Sequence, residues 1–144
     1  MLSMHGILED LSSWLGERGY QILGQKVDGD GDGFLGFTPP GVSLRYVLVL
    51  QREDDGLFFY ALHLTFGDLK PPEPVLLGVA ARIKGVKAFL DGDGDLVLGV
   101  EGFTHDPHAL PFVLPTLVEA LQQTALLLGF WKVMGDILPL GGRA

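Results

Sequence analysis

Apolar side chains recur along this chain with two different periods, and the switches between them mark out its elements. Ile7, Leu8, Leu11, Trp14 and Leu15 fall on one helical face, while Glu9, Asp10, Ser12, Ser13 and Glu17 take the other. The spacing predicts a helix over 6–18, with Glu9 and Asp10 in an early turn, Arg18 in the last, and Gly19 as a left-handed terminator. From Tyr20 the period becomes two. Tyr20 to Val27 is weakly strand-like, Asp28-Gly-Asp-Gly-Asp-Gly33 interrupts it, and Phe34 to Phe37 resumes it. After a turn at Thr38-Pro-Pro-Gly41, Ser43 to Gln51 alternates cleanly, with Leu44, Tyr46, Leu48 and Leu50 on one side. A second turn at Arg52-Glu-Asp-Asp-Gly56 leads into Leu57 to Phe66, which places Phe58, Tyr60, Leu62, Leu64 and Phe66 together.

Beyond the proline-rich connector Gly67 to Pro74, Val75 to Ile83 reads as a short helix ending near Gly85. Val86 to Leu90 and Leu96 to Phe103 flank Asp91-Gly-Asp-Gly-Asp95, a hairpin signal. Asp106 with Pro107 opens a helical region whose stripe is Leu114, Leu117, Val118, Leu121, Ala125 and Leu128. Pro115 requires a fresh start or a kink there, and Gly129 is the expected stop, leaving 129–144 as a tail. The order is α-β-β-β-α-β-β-α, with no linker long enough to divide it. An α+β fold follows: one domain over 1–144, a two-layer α/β sandwich on an antiparallel meander sheet.

The opposite face of the two clearest strands changes the picture. It carries Arg45, Val47 and Val49 on one, and Leu57, Phe59, Ala61, His63 and Thr65 on the next. A sheet face exposed only to water is more polar than this. Either another part of the chain covers it or it is kept for another molecule, so Val47, Val49, Phe59, Ala61 and His63 are candidate protein-binding residues. Val75, Leu76, Leu77 and Val79 are too apolar for an exposed short helix.

Composition and charge mainly exclude. At 144 residues and 47% hydrophobic, the chain is long and apolar enough to fold around its own core, which rules out intrinsic disorder. Cysteine is absent, so thiolate catalysis, cysteine zinc sites, iron–sulfur clusters and disulfides are excluded, in keeping with a cytoplasmic location. The first ten residues lack the basic start of a signal peptide, and prolines, Glu119 and paired glutamines interrupt the apolar run 109–128, arguing against a bilayer span. A net charge of −8 argues against direct nucleic-acid binding, which needs lysine and arginine to neutralise phosphates.

Half of the 18 acidic residues sit in three loops, at Asp28, Asp30 and Asp32, at Glu53, Asp54 and Asp55, and at Asp91, Asp93 and Asp95. Asp28, Asp30, Asp32 and Gly33 match the first half of a calcium loop, where alternate carboxylates converge on the ion. Position twelve of that loop is Pro39, which has no ligand to offer, and no helix follows. The second loop has Leu96 in place of the turn glycine. Both strings are also what a hairpin turn uses, so a calcium site at Asp28, Asp30 and Asp32 stands beside a plain turn. A single strand pair between them predicts that the first two acidic loops share one end of the sheet.

Catalytic constellations are missing from the sequence. His105-Asp-Pro-His108 has a proline between its imidazoles, no serine sits in a strand–turn–helix elbow, and no phosphate-binding glycine loop occurs. The chain reads as a non-enzyme with no required cofactor.

Several local strings carry a family resemblance. The opening helix ends in Glu17-Arg-Gly-Tyr20, and Val86-Lys-Ala-Phe-Leu-Asp-Gly-Asp-Gly-Asp-Leu-Val-Leu98 precedes a long C-terminal helix. Over residues 6–130 this resembles the YbjN-like family of bacterial sensory transduction regulators, whose fold is that of type III secretion chaperones. The resemblance implies a dimeric, non-enzymatic protein that holds a partner protein on apolar sheet and helix surfaces, and it makes Val75, Leu76, Leu77 and Val79 the candidate dimer contact. The acidic charge adds the expectation of a partner with a basic surface, such as a nucleic-acid-binding protein.

Overall fold

The computed structural model describes residues 3–66 and 85–137, with side chains to 65 in the first stretch and to 128 in the second. The first helix, α1, spans Met4–Glu17 and starts earlier than the stripe predicts because Ser3 caps it. The Ser3 hydroxyl oxygen accepts from the Gly6 N–H at 3.0 Å, and no acid lies in the first turn. Gly19, at φ 86°, ends the helix as expected. Its N–H bonds the Gly16 carbonyl and the Tyr20 N–H reaches back to Leu15, the paired arrangement of a glycine-terminated helix.

Six strands follow where the sequence suggests five: β1 (Gln21–Val27), β2 (Gly33–Thr38), β3 (Tyr46–Arg52), β4 (Phe58–Phe66), β5 (Val86–Leu90) and β6 (Leu96–Thr104). The extra strand arises because Asp28–Asp32 does not interrupt a strand but reverses it, pairing β1 antiparallel to β2. The sheet is antiparallel throughout, in the order β1-β2-β3-β4-β6-β5. The meander therefore holds for four strands only. β6 takes the place beside β4, and β5 becomes an edge.

The last helix, α2, runs Leu110–Ile137 behind a short 3-10 turn capped by Asp106, whose carboxylate accepts from the His108 N–H. It continues through Pro115 and through Gly129, so the expected tail at 129 is helical to Ile137. Glycine permits the left-handed turn that ends many helices but does not impose it, and at Gly129 the helix runs on. The expected middle helix at 75–83 lies outside the described residues, as does the dimer contact at Val75, Leu76, Leu77 and Val79.

Both described helices pack on one face of the sheet, α1 on β1 and β2, α2 on β4, β5 and β6. Between them, Leu35, Phe37, Tyr46, Leu48, Leu50, Leu62, Leu64 and Leu98 are fully buried. The register places these residues side by side, with Phe37 opposite Tyr46, Tyr46 opposite Leu64, and Leu64 opposite Leu98. Phe37 and Tyr46 stack at 5.7 Å. Burial pushes the Tyr46 phenol up to about 12; its hydroxyl meets Gln122 of α2 without closing a hydrogen bond of good geometry. Asp10 of α1 and His108 before α2 join the helices at 3.0 Å.

One-residue alternation fixes which face each side chain takes, so neighbours in sequence should respond very differently to truncation. Leu48→Ala is expected to lose about 2–5 kcal/mol in urea unfolding, the range for a buried leucine. Val47→Ala, 39% exposed on the other face, should lose less than about 1 kcal/mol. Equal losses would mean the register is wrong.

Candidate functional site

Alternation along the same strands builds the other face, and no described helix packs on it. The candidates meet there. Val47 lies opposite His63, Val49 opposite Ala61, and Gln51 opposite Phe59, all pointing away from Leu48, Leu50 and Leu62. Val47 is exposed, Val49, Phe59 and His63 are half-buried, and Ala61 is buried at 3%. Ala61 therefore offers floor rather than a contact: its single methyl sits in register between Val49 and Glu101.

The face is wider than the sequence indicates. Phe34 of β2 stands opposite Val49, Phe103 of β6 opposite Phe59, and Phe89 of β5 opposite Val97. Phe59 and Phe103 make an edge-to-face pair at 5.4 Å, and Phe103 is still 63% exposed. Gly36 and Gly99 lie in the same row as Val47 and His63, lowering the middle of the face between the taller phenylalanines. A Cβ on Gly99 would stand 3.0 Å from the His63 ring, so the imidazole rests on that bare backbone. The alternation Val97, Gly99, Glu101, Phe103 was the available signal for β6. Its position beside β4 was not, because no local pattern encodes a long-range pairing.

Charge frames this apolar floor. Lys87 and Glu101 pair at 3.0 Å on the β5–β6 side, and Lys26 lies over the Phe34 ring at 5.4 Å. His63 sits between these groups. Its pKa is lowered, first by burial and further by Lys87, with Glu101 acting in the opposite sense.

The acidic loops are hairpin turns. In the first, the Asp28 N–H donates to the Asp32 carbonyl at 2.9 Å, and Gly31, at φ 87°, donates to the Asp28 carbonyl. One Asp28 carboxylate oxygen accepts from both the Asp30 and the Asp32 N–H. The loop at Asp91–Asp95 repeats every one of these bonds, with Gly94 at φ 81°. The strand directions put Asp28–Asp32 and Glu53–Asp55 at one end of the sheet, as expected, and Asp91–Asp95 at the other. Among the described residues, the carboxylates that converge within 4.8 Å are those of Asp91, Asp93 and Asp95, not those of Asp28, Asp30 and Asp32.

By length and composition, Pro107–Leu128 is long and apolar enough to cross a membrane. In this fold Leu110, Leu114, Val118, Leu121 and Leu128 are buried in the core, while Phe112 and Leu126 stand outside it at 81% and 73% exposure.

No family model matches the chain, and no curated protein matches it either. The YbjN-like resemblance thus rests on the residues quoted for it. Among solved structures, the heterodimeric complex ExoU–SpcU from the type III secretion system of Pseudomonas aeruginosa contains a similar chain. The likeness covers 80% of this chain and 94% of that one, at 23% identity and a TM-score of 0.43. A likeness at this level assigns no function.

The half-buried imidazole gives the face a pH signature. Between the lowered pKa of His63 and its ordinary value of 6.5, the unfolded chain binds more protons than the folded one. Acidification through that window therefore removes stability. Urea unfolding from about pH 7.5 to about pH 5.5 should show wild type losing more stability than His63→Gln. Parallel losses would mean His63 is not desolvated.

Proposed function

We propose that this chain is a non-enzymatic protein-binding module, chaperone-like or adaptor, that holds an apolar segment of a partner protein on the open face of its sheet. The observation that carries this reading is the exposure of Phe103, Val47 and Phe89, at 63%, 39% and 38%, on one face beside Phe34, Val49 and Phe59. Large apolar side chains grouped on one face that no described helix covers mark an interaction surface. The six acids at one end of the sheet support a partner with a basic surface, a nucleic-acid-binding protein being one such class. The YbjN-like resemblance supports the same reading and adds the finer proposals of bacterial origin, a cytoplasmic location and a homodimer through Val75, Leu76, Leu77 and Val79.

Phe59→Asp tests the capture face. The charge lies away from the helices, so the melting temperature should fall by only a few degrees. Partner proteins retained by the wild-type chain from a lysate of its native host should be lost from the variant. Retention of the same proteins by Phe59→Asp would defeat the reading. For the dimer, light scattering should give twice the chain mass, and Leu76→Asp should halve it; a wild-type monomer at all concentrations would remove that part.

A second reading, a cation-responsive module, is favoured by one observation, the convergence of Asp91, Asp93 and Asp95. It moves the calcium proposal from the first acidic loop to the second. Millimolar calcium should then raise the melting temperature, and Asp93→Ala should abolish the rise while Asp30→Ala preserves it. No shift with calcium would end this reading.

A further inference from the structure

The open face is electrostatically polarised along the strands, and the polarity dictates how a segment can lie on it. At one end, an open groove of 640 Å³ is lined by Gln21, Leu23, Thr38, Pro40, Val42 and Arg45 among others. Gln21 pairs with Thr38, and both alternate with the core-facing Ile22 and Phe37, so the groove opens on the side away from the helices. A bulge between Ile22 and Gly24 turns Leu23 to the same side, where its Cβ comes within 3.7 Å of the place a Gly36 side chain would occupy. Arg45 is exposed in this groove and makes no ion pair among the described residues. Lys26 is likewise without an ion pair among the described residues, but it lies over Phe34 at the other end of the face, where the three aspartates of the Asp28–Asp32 loop outnumber it, so the net charge at that end stays negative.

Eight residues along the chain from Arg45, at Glu53, lies the opposite end, with the Asp28–Asp32 and Glu53–Asp55 loops. At a strand rise of about 3.3 Å, roughly 26 Å separate the two ends. Between them run Gly36, Val47, Val49 and Phe34. The third acidic loop shares the Arg45 end but sits on the β5–β6 hairpin, two to three strands across from β3, roughly 10–14 Å to the side.

The occupant must satisfy its own backbone, because the amides and carbonyls beneath it are already spent on the sheet ladder. An extended segment laid on this face would bury unpaired backbone groups, whereas a helix would not. Resting on the capture reading above, we infer that the open face takes an amphipathic helix of the partner in one direction. Its C-terminal end and a carboxylate lie on Arg45, and its N-terminal end, with lysine or arginine, lies at the acidic loops. The helix dipole has the same sense, positive at the acids and negative at the arginine. A span of roughly 26 Å corresponds to about 17 helical residues.

Two synthetic 18-residue amphipathic peptides of identical composition separate these claims. One carries lysines in its first turn and glutamates in its last; the other reverses them. Their binding to the full chain is measured by fluorescence anisotropy at low salt. The reversed peptide is intrinsically the better helix, since its charges suit its own dipole, so any bias from helicity runs against the proposal. The lysine-first peptide should bind about fivefold tighter, the size of two screened charge–dipole contacts. Arg45→Glu should erase that preference. Equal binding of both peptides, abolished by Phe59→Asp, would overturn the direction while leaving the capture face intact. Binding of neither peptide would overturn the capture reading itself, and an unchanged preference in Arg45→Glu would overturn the role of the groove.

Discussion

A six-stranded sheet has two faces, and the helices described here cover only one. Everything else about this protein follows from that imbalance. Strand alternation assigns each side chain to one face or the other with no intermediate choice. β3 and β4 carry apolar residues at both sets of positions. One set, Tyr46, Leu48, Leu50, Leu62 and Leu64, closes against α1 and α2 and is wholly removed from water. Each fully buried leucine there contributes about 1.5–3 kcal/mol, and together they form the continuous core beneath the helices. The second set, with Val47, Val49 and Phe59, is therefore not needed to complete the core beneath the helices. Its apolar character calls for a cause, and the proposed partner segment would supply one.

Much of this was legible from the sequence because the periods are strong. α1 is one uninterrupted stripe ended by Gly19, and β3 and β4 alternate without a break, so their buried and open faces could be assigned residue by residue. The hairpin at Asp91–Asp95 was equally clear. The same turn chemistry was legible at Asp28–Asp32, beside the calcium-loop reading, but the weak alternation of Gln21–Val27, an edge strand exposed along most of its length, hid a strand of its own. What fixes both turns is a glycine at positive φ and one carboxylate oxygen shared by two backbone N–H groups, which is the ordinary work of an Asp-Gly repeat.

The rest was not local. Nothing near Val86 says that β5 takes the sheet edge while β6 pairs with β4, so Phe89 and Phe103 could not be joined to Phe59 in advance. Gly129 looked like a stop because glycine allows one, yet it imposes none. Ala61 fell on the right face, but its methyl is too short to rise between Val49 and Glu101. The candidate face was thus half visible: its centre came from alternation and its rim from topology. Arg45, named only as one residue of a strand face, acquired meaning once the Pro39–Ser43 loop was seen to wall a groove around it.

The central claim is that Phe34, Val47, Phe59 and Phe103 face water in the free protein and lose it to a partner. Carbene footprinting read by mass spectrometry measures that directly, residue by residue, in the free chain and in its complex. The account predicts strong labelling of these four side chains in the free protein, silence at Leu48 and Leu62, and protection of the four on binding. Protection of Phe59 and Phe103 already in the isolated monomer would contradict it, because the face would then be sealed by the chain itself.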